Sequence, residues 1–282
     1  MQLLSKQSRA GSFAISLSSI AVLVSILAFP CTGALANDPQ SLTQLLSAPH
    51  RTPANVVRVG LRHPIETLAF FGVKDTSTVV EILPGSRGYY LELLAPYLKA
   101  RGHYVAANRD ELAGPSYLED HKKFLARLKE DPELFGKVQV TKFNADLHEI
   151  ARPGSADFVL TFRNLHNWIE RNEIDGALRA FYKALKPGGV LGVVDHRGRT
   201  DMSQEAQMKN GYVREDVAIK LMEKAGFKFV AKSEVNANPK DTKDYPDGVW
   251  TLPPTFRLGD KDRAKYQAIG ESDRFTHRYV KQ

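Results

Sequence analysis

The stretch VVEILPGSRGYY, Val79–Tyr90, decides how the rest of the chain is read. With the two residues before it, STVVEIL is a continuous run of apolar and β-branched residues, the pattern of a strand buried on both faces of a parallel sheet. The chain then turns through Gly85 and Gly88 into YYLELLAPYLKARG, an amphipathic helix ended by Gly102, and HYVAAN follows as a second strand. Strand, glycine turn, helix and strand form the opening βαβ unit of a doubly wound α/β domain. The glycines let the backbone pass close to a ligand, and the helix start offers free N–H groups to a carboxylate or phosphate. Pro84 removes one N–H from the turn, while the amides of Ser86 and Arg87 remain.

Downstream, strand and helix patterns keep alternating. KVQVTKF, SADFVLTF, VLGVVDH and KFVAKSEV read as the third to sixth strands, and a last strand falls near Phe275 to Val280. Helices are predicted from Ser116 to about Lys129, over EIDGALRAFYKAL and over REDVAIKLMEKAGF, with a short one at Lys261 to Ala268; RNLHNWI reads as a loop. The expected fold is a doubly wound, Rossmann-like α/β domain with a mostly parallel seven-stranded sheet. Before it, prolines 49, 53 and 64 break residues 37–75 into short helical pieces, an N-terminal helical cap, and 76–282 form the α/β domain.

Residues 1–36 are read separately. Lys6 and Arg9 precede the uncharged run FAISLSSIAVLVSILAF, which leads to Ala34-Leu35-Ala36, the layout of a secretory signal peptide cleaved after Ala36. A periplasmic or secreted protein is expected; an uncleaved presequence would be its membrane contact. Cys31, the sole cysteine, lies inside the presequence, so the mature chain has no thiol nucleophile and needs no disulfide. The chain of 282 residues carries a net charge of +7; without the presequence, 37 basic residues stand against 32 acidic ones, a net charge of +5. That excess is spread out, and no dense basic tract with interleaved aromatics points to nucleic acid. No G-x-S-x-G elbow appears, and no histidine or carboxylate spacing marks a metal site.

In open α/β sheets ligands sit at the carboxyl ends of the strands, so the strand ends are the positions to weigh. At the first stand Glu81, Gly85, Ser86 and Gly88; Glu81 either orders the loop or holds a cationic amine indirectly. At the second stands Asn108, with Asp110 two residues on, where a ribose-binding fold wants an acid. At the third, Asp146 either accepts from the exocyclic amine of a purine or caps a helix over LHEI. The fourth end gathers Arg163, Asn164, His166, Asn167 and Trp168. His166 there and His196 at the fifth end are candidate bases, or histidines that only bond backbone; Asp195 and His196, as strand neighbours, point to opposite faces. His63 and the GVWTLPP loop close over the pocket, and Trp168, Tyr245 and Trp250 are candidate stacking partners for a planar or apolar molecule, or packed anchors.

The run FRNLHNWIERNEIDGALRAFYKALKPGGVLGVVDH resembles the central region of class I S-adenosylmethionine-dependent methyltransferases. An R-N-hydrophobic segment after the fourth strand, and a helix leading to L-K-P-G-G, carry the likeness, which extends from about Val79 to Val235. More narrowly, RHPIETLAFFGV, VVEILPGSRGYY, NPKDTKDYP and GVWTLPP resemble a family of exported bacterial methyltransferases of unassigned substrate. The resemblance implies S-adenosylmethionine as cofactor and a small-molecule methyl acceptor. It places Gly85, Ser86 and Gly88 along the methionine part, Asn108 at the ribose, Asp146 at the adenine, and Asn164 with its neighbours at the methionine end and substrate. The pattern is broken at Pro84, which replaces a usual glycine, and at Asn108, which replaces the usual acid. A non-catalytic exported ligand-binding protein on the same fold is the alternative expectation. A nicotinamide oxidoreductase fits less well, because Leu83 occupies the first position of G-x-G-x-x-G.

Overall fold

A computed structural model describes residues 41–109, 114–144 and 148–282. Asp146, Asp110 and the presequence lie outside the described residues. The strands are β1 (Thr78–Ile82), β2 (His103–Asn108), β3 (Gln139–Phe143), β4 (His148–Glu149), β5 (Ala156–Phe162), β6 (Leu185–His196), β7 (Phe227–Ser233) and β8 (Arg274–Lys281). They form one sheet in the order β4-β3-β2-β1-β5-β6-β8-β7. Strands β3, β2, β1, β5 and β6 run parallel, and β8 enters antiparallel between β6 and β7. The expected seven strands are all present. The two-residue β4 adds to them at one edge, where LHEI was open to a helical reading.

Side-chain alternation explains why the central strands read as unbroken apolar runs. In β1, Val80 and Ile82 face a core shared with Val159, Leu191, Val193 and the helix Ile174–Ala184. Val79 faces the opposite core, with Leu160, Val194, Leu68, Phe71 and the helix Leu91–Leu98. Strand neighbours point to opposite faces, so a sheet covered on both sides demands apolar residues at every position.

The Lys186-Pro187-Gly188-Gly189 turn is looped out of β6 rather than placed before it. Leu185 pairs with Ala156 and Val190 with Phe158, and Gly188 takes a φ of +74° to make the excursion. Four short helices, Leu42–Leu45, Pro53–Val56, Val59–Arg62 and Pro64–Phe71, precede β1, broken at the prolines that predicted them. The last packs directly onto the sheet at Gly192, where a Cβ would come within 2.9 Å of the Phe71 ring. RNLHNWI departs from its loop reading: Leu165–Glu170 is a helix, with Leu165, His166 and Trp168 on its buried side. Alternating polar residues hid a helix whose apolar side is only two turns long.

Candidate functional site

The glycine turn is shaped by its neighbours. Leu83 donates its N–H to Ala107 O at 2.8 Å, which ties the turn to the end of β2, and adopts a left-handed φ of +54°. A Cβ makes that conformation cost about 1–2 kcal/mol, so the missing glycine is felt at Leu83 and not at Pro84. Gly85 and Gly88 also have positive φ, for different reasons. A Cβ on Gly85 would meet only the Asp120 carboxylate, at 3.6 Å, whereas one on Gly88 would lie 2.8 Å from the Leu91 side chain. Gly85 therefore leaves open space, and Gly88 serves the packing of turn against helix. The Ser86 N–H is taken by both oxygens of Asp120, at 3.2 and 3.3 Å, from the helix Pro115–Glu130. Arg127 of the same helix donates to Ser86 O and Arg87 O and pairs with the buried Glu92.

Beneath this turn, Glu81 is buried and accepts the Tyr104 hydroxyl. Burial pushes its carboxyl up to about 7, against the lowering effects of the Tyr104 hydrogen bond and the Arg62 charge. Asn108 is buried at the end of β2; its Oδ1 accepts the Arg109 N–H, and its Nδ2 has no partner among the described residues. Asn164 donates to Ile82 O at 3.2 Å, which brings the β5 loop against the end of β1.

The ends of β5 and β6 join in one buried network. Asp195, fully buried, accepts from Leu165 N at 2.6 Å, His196 N at 2.7 Å and His166 Nδ1 at 3.0 Å. Burial alone would raise this carboxyl, but His166 and the His196 amide outweigh it and hold it below the usual carboxylate range. Asp195 thus orients His166, 29 residues away, through the helix that replaces the expected loop. With its tautomer fixed by Asp195, His166 keeps Nε2 free of any hydrogen bond to a described residue. His196 behaves differently. Its Nδ1 bonds Ser272 Oγ, and burial holds its pKa well below the histidine range, which leaves it a neutral, weak base. His166, Asp195 and His196 offer ligand atoms within 4.8 Å of one another, a grouping that no sequence spacing announces; in this structure both Asp195 oxygens and both Nδ1 atoms are already engaged.

Two aromatic candidates prove to be anchors. Trp168 is buried between Phe143 and Phe181, part of the main core rather than of a binding surface. Tyr245 is buried against Tyr266 and Leu252, with its hydroxyl accepting from Thr242 N. Trp250 does approach the site: its ring lies 6.0 Å from His166, and the Arg257 guanidinium covers it at 4.6 Å. His63 sits half-buried with a φ of +41° between two cap helices, directly after Arg62.

Sequence reading missed Arg62, Arg274 and Glu271. Arg58 and Arg62 both donate to Glu271, at 2.7 and 3.1 Å, and Arg274 joins at 3.0 Å. The signal was present as the i,i+4 spacing of Arg58 and Arg62, which puts two cations on one helical face.

No protein-family model and no curated protein matches the sequence. Solved structures do. An S-adenosylmethionine-dependent methyltransferase from Aquifex aeolicus aligns with a TM-score of 0.51 at 18% identity, over 86% of this chain and 98% of that one. The fold is that of the class I methyltransferases. A protein from Galdieria sulphuraria assigned as a sarcosine dimethylglycine methyltransferase aligns at 0.52 and 13% identity, over 80% of this chain and 86% of that one. The cyclase SpnF aligns at 0.52 and 14%, over 78% and 80%. A cyclase among these neighbours shows that the class I methyltransferase fold carries more than one chemistry.

Proposed function

We propose that the chain is an S-adenosylmethionine-dependent methyltransferase of a small molecule that gives up a proton on methylation. The observation that carries this reading is the His166–Asp195 pair, set beside Arg163 and Asn164 at the carboxyl ends of β5 and β6. The Asn108 Nδ2, buried at the end of β2 without a partner among the described residues, fits a ribose hydroxyl as acceptor, and Gly85 leaves room for a ligand beside the turn. Gly85, Ser86, Asn108 and Asn164 are the residues that would hold the cofactor.

When bound, the cofactor supplies an electrophilic methyl group on a sulfonium. Transfer is an in-line displacement, so the protein's task is to position the acceptor, exclude water and accept a proton. His166 takes the proton at Nε2, while Asp195 fixes the tautomer with its Nδ1 bond and stabilises the imidazolium that results. Trp250 shields the imidazole and offers a face to a planar acceptor. Calorimetric titration of the purified protein with S-adenosylmethionine tests the first step, and no heat at high micromolar ligand overturns it. His166→Gln is expected to leave that affinity within about twofold and lower turnover about 10²–10⁴-fold.

A second reading, an exported ligand-binding protein without turnover, draws on the left-handed Leu83 and on Asp120, whose carboxylate holds the Ser86 N–H that a cofactor carboxylate would use. It expects that same titration to be silent.

A further inference from the structure

Around Glu271 the cations outnumber the anions. Arg58, Arg62 and Arg274, each nine-tenths buried or more, share this one carboxylate. Among the described residues the Nη2 atoms of Arg58 and Arg62 and Nε of Arg274 are buried without a partner, as is the hydroxyl of Tyr89, whose ring lies under Arg62 at 4.6 Å. Each arginine has Glu271 as a partner, yet guanidinium N–H groups buried without an acceptor are costly, so a folded protein keeps them where something else completes them.

Arg163 lies one strand away from Arg274: its N–H donates to Val194 O of β6, whose His196 pairs with Arg274. Its backbone is left-handed, with φ at +62°. The half-buried guanidinium makes no hydrogen bond or ion pair to any described residue. Burial, then the charge of Arg62, pulls its pKa down to about 9, with Arg274 adding to that and Glu271 and Asp195 opposing it. Non-glycine residues held at positive φ are strained and cluster where a side chain must be aimed.

We propose that Arg163, backed by Arg62 and Arg274, binds an oxyanion, a carboxylate or phosphoryl group, carried by the small-molecule acceptor. The acceptor is its source, because Arg163 and His166 both follow β5 and Arg274 opens β8, with β6 between them; Arg62 also covers Tyr89 at the end of the glycine turn, so the cofactor carboxylate is the competing source that the last arm of the test separates. The planar fork of Arg163 suits either oxyanion, and His166, three residues on, then meets a hydroxyl of the same molecule. The assignment to an acceptor rests on the methyltransferase reading, whereas the oxyanion site itself does not.

The test needs no cofactor. The purified protein is titrated with inorganic phosphate, with 4-hydroxybenzoate and with uncharged phenol, following the thermal midpoint and the heat of binding. Both anions are expected to bind and phenol to bind at least tenfold more weakly; Arg163→Gln loses at least tenfold for the anions, and Arg163→Lys loses less for phosphate than for 4-hydroxybenzoate. Failure of both anions to bind, or equal binding by Arg163→Gln, overturns the proposal. Phosphate should also protect Arg163 of the unaltered protein from phenylglyoxal, mapped by mass spectrometry, and equal modification with and without phosphate overturns it without any variant. S-adenosylmethionine and 5′-methylthioadenosine, which lacks the carboxylate, form the last arm. If Arg163→Gln weakens only the former, and by as much as it weakens phosphate, the anion belongs to the cofactor and the acceptor assignment falls. If neither adenosine ligand binds while the anions do, the methyltransferase reading fails and the oxyanion site stands.

Discussion

Glu81→Gln isolates one buried titration whose size follows from the structure. Glu81 is buried, accepts the Tyr104 hydroxyl and has its carboxyl pushed from 4.5 to about 7, chiefly by burial. The folded pKa lies above the unfolded one, so the contribution of Glu81 is fully present below about pH 4.5 and is lost as pH rises through 7. Between pH 5 and pH 8 the linkage relation gives a loss of about 2.5 kcal/mol for pKa values of 4.5 unfolded and 7 folded. Glutamine keeps the shape and an acceptor for Tyr104 but binds no proton. Urea unfolding of both proteins at pH 5, 6, 7 and 8 measures the effect, because every other titration cancels in the difference between them. The unaltered protein should lose about 2.5 kcal/mol relative to the variant across that range, a midpoint shift on the order of 1 M urea for ordinary m-values. A difference constant to within about 0.5 kcal/mol would refute the claim that this carboxyl is buried and protonated near neutrality.

Three further outcomes follow from the packing. Asp195→Asn puts an NH₂ where three N–H groups converge, so one donor must face another; calorimetric unfolding should show a loss of about 2–4 kcal/mol. Trp168→Ala should cost about 3–5 kcal/mol by denaturant titration, in keeping with a core position, and an affinity loss without a stability loss would return it to the binding surface. Gly88→Ala, which drives a Cβ against Leu91, should cost about 1 kcal/mol or more beyond Gly85→Ala, which meets only Asp120 at 3.6 Å; equal thermal midpoints for the two would contradict the geometry.

The order of strands was legible because each central strand is buried on both faces and announces itself as an apolar run. What escaped was short or assembled from afar. The helix Leu165–Glu170 carries too few apolar residues to show a period, yet it sets His166 against Asp195. Strand adjacency put Asp195 and His196 on opposite faces, yet at the end of β6 their ligand atoms come within 4.8 Å of one another and of His166, a residue 29 positions back that meets the carboxylate. Trp168 looked like part of a polar binding loop because its neighbours are polar; the helix turns it into the core instead. Glycine spacing located the turn after β1, while Leu83, which also bears a left-handed backbone there, gives no sign of it in its identity.

Strand β8 spans Arg274–Lys281, yet it is not an edge: it fills the gap between β6 and β7. A chain made or threaded from its N-terminal end therefore keeps an open β6 edge until these eight residues arrive, and β7 has no sheet to join before then. The same arrival delivers Glu271 and Arg274 to Arg58 and Arg62, more than 200 positions earlier. Completion of the sheet and closure of the cap become one late event, and pairings of such long sequence separation are slow to form. A polypeptide with that order of assembly keeps its sheet and its cap unfinished until its last eight residues are free to fold.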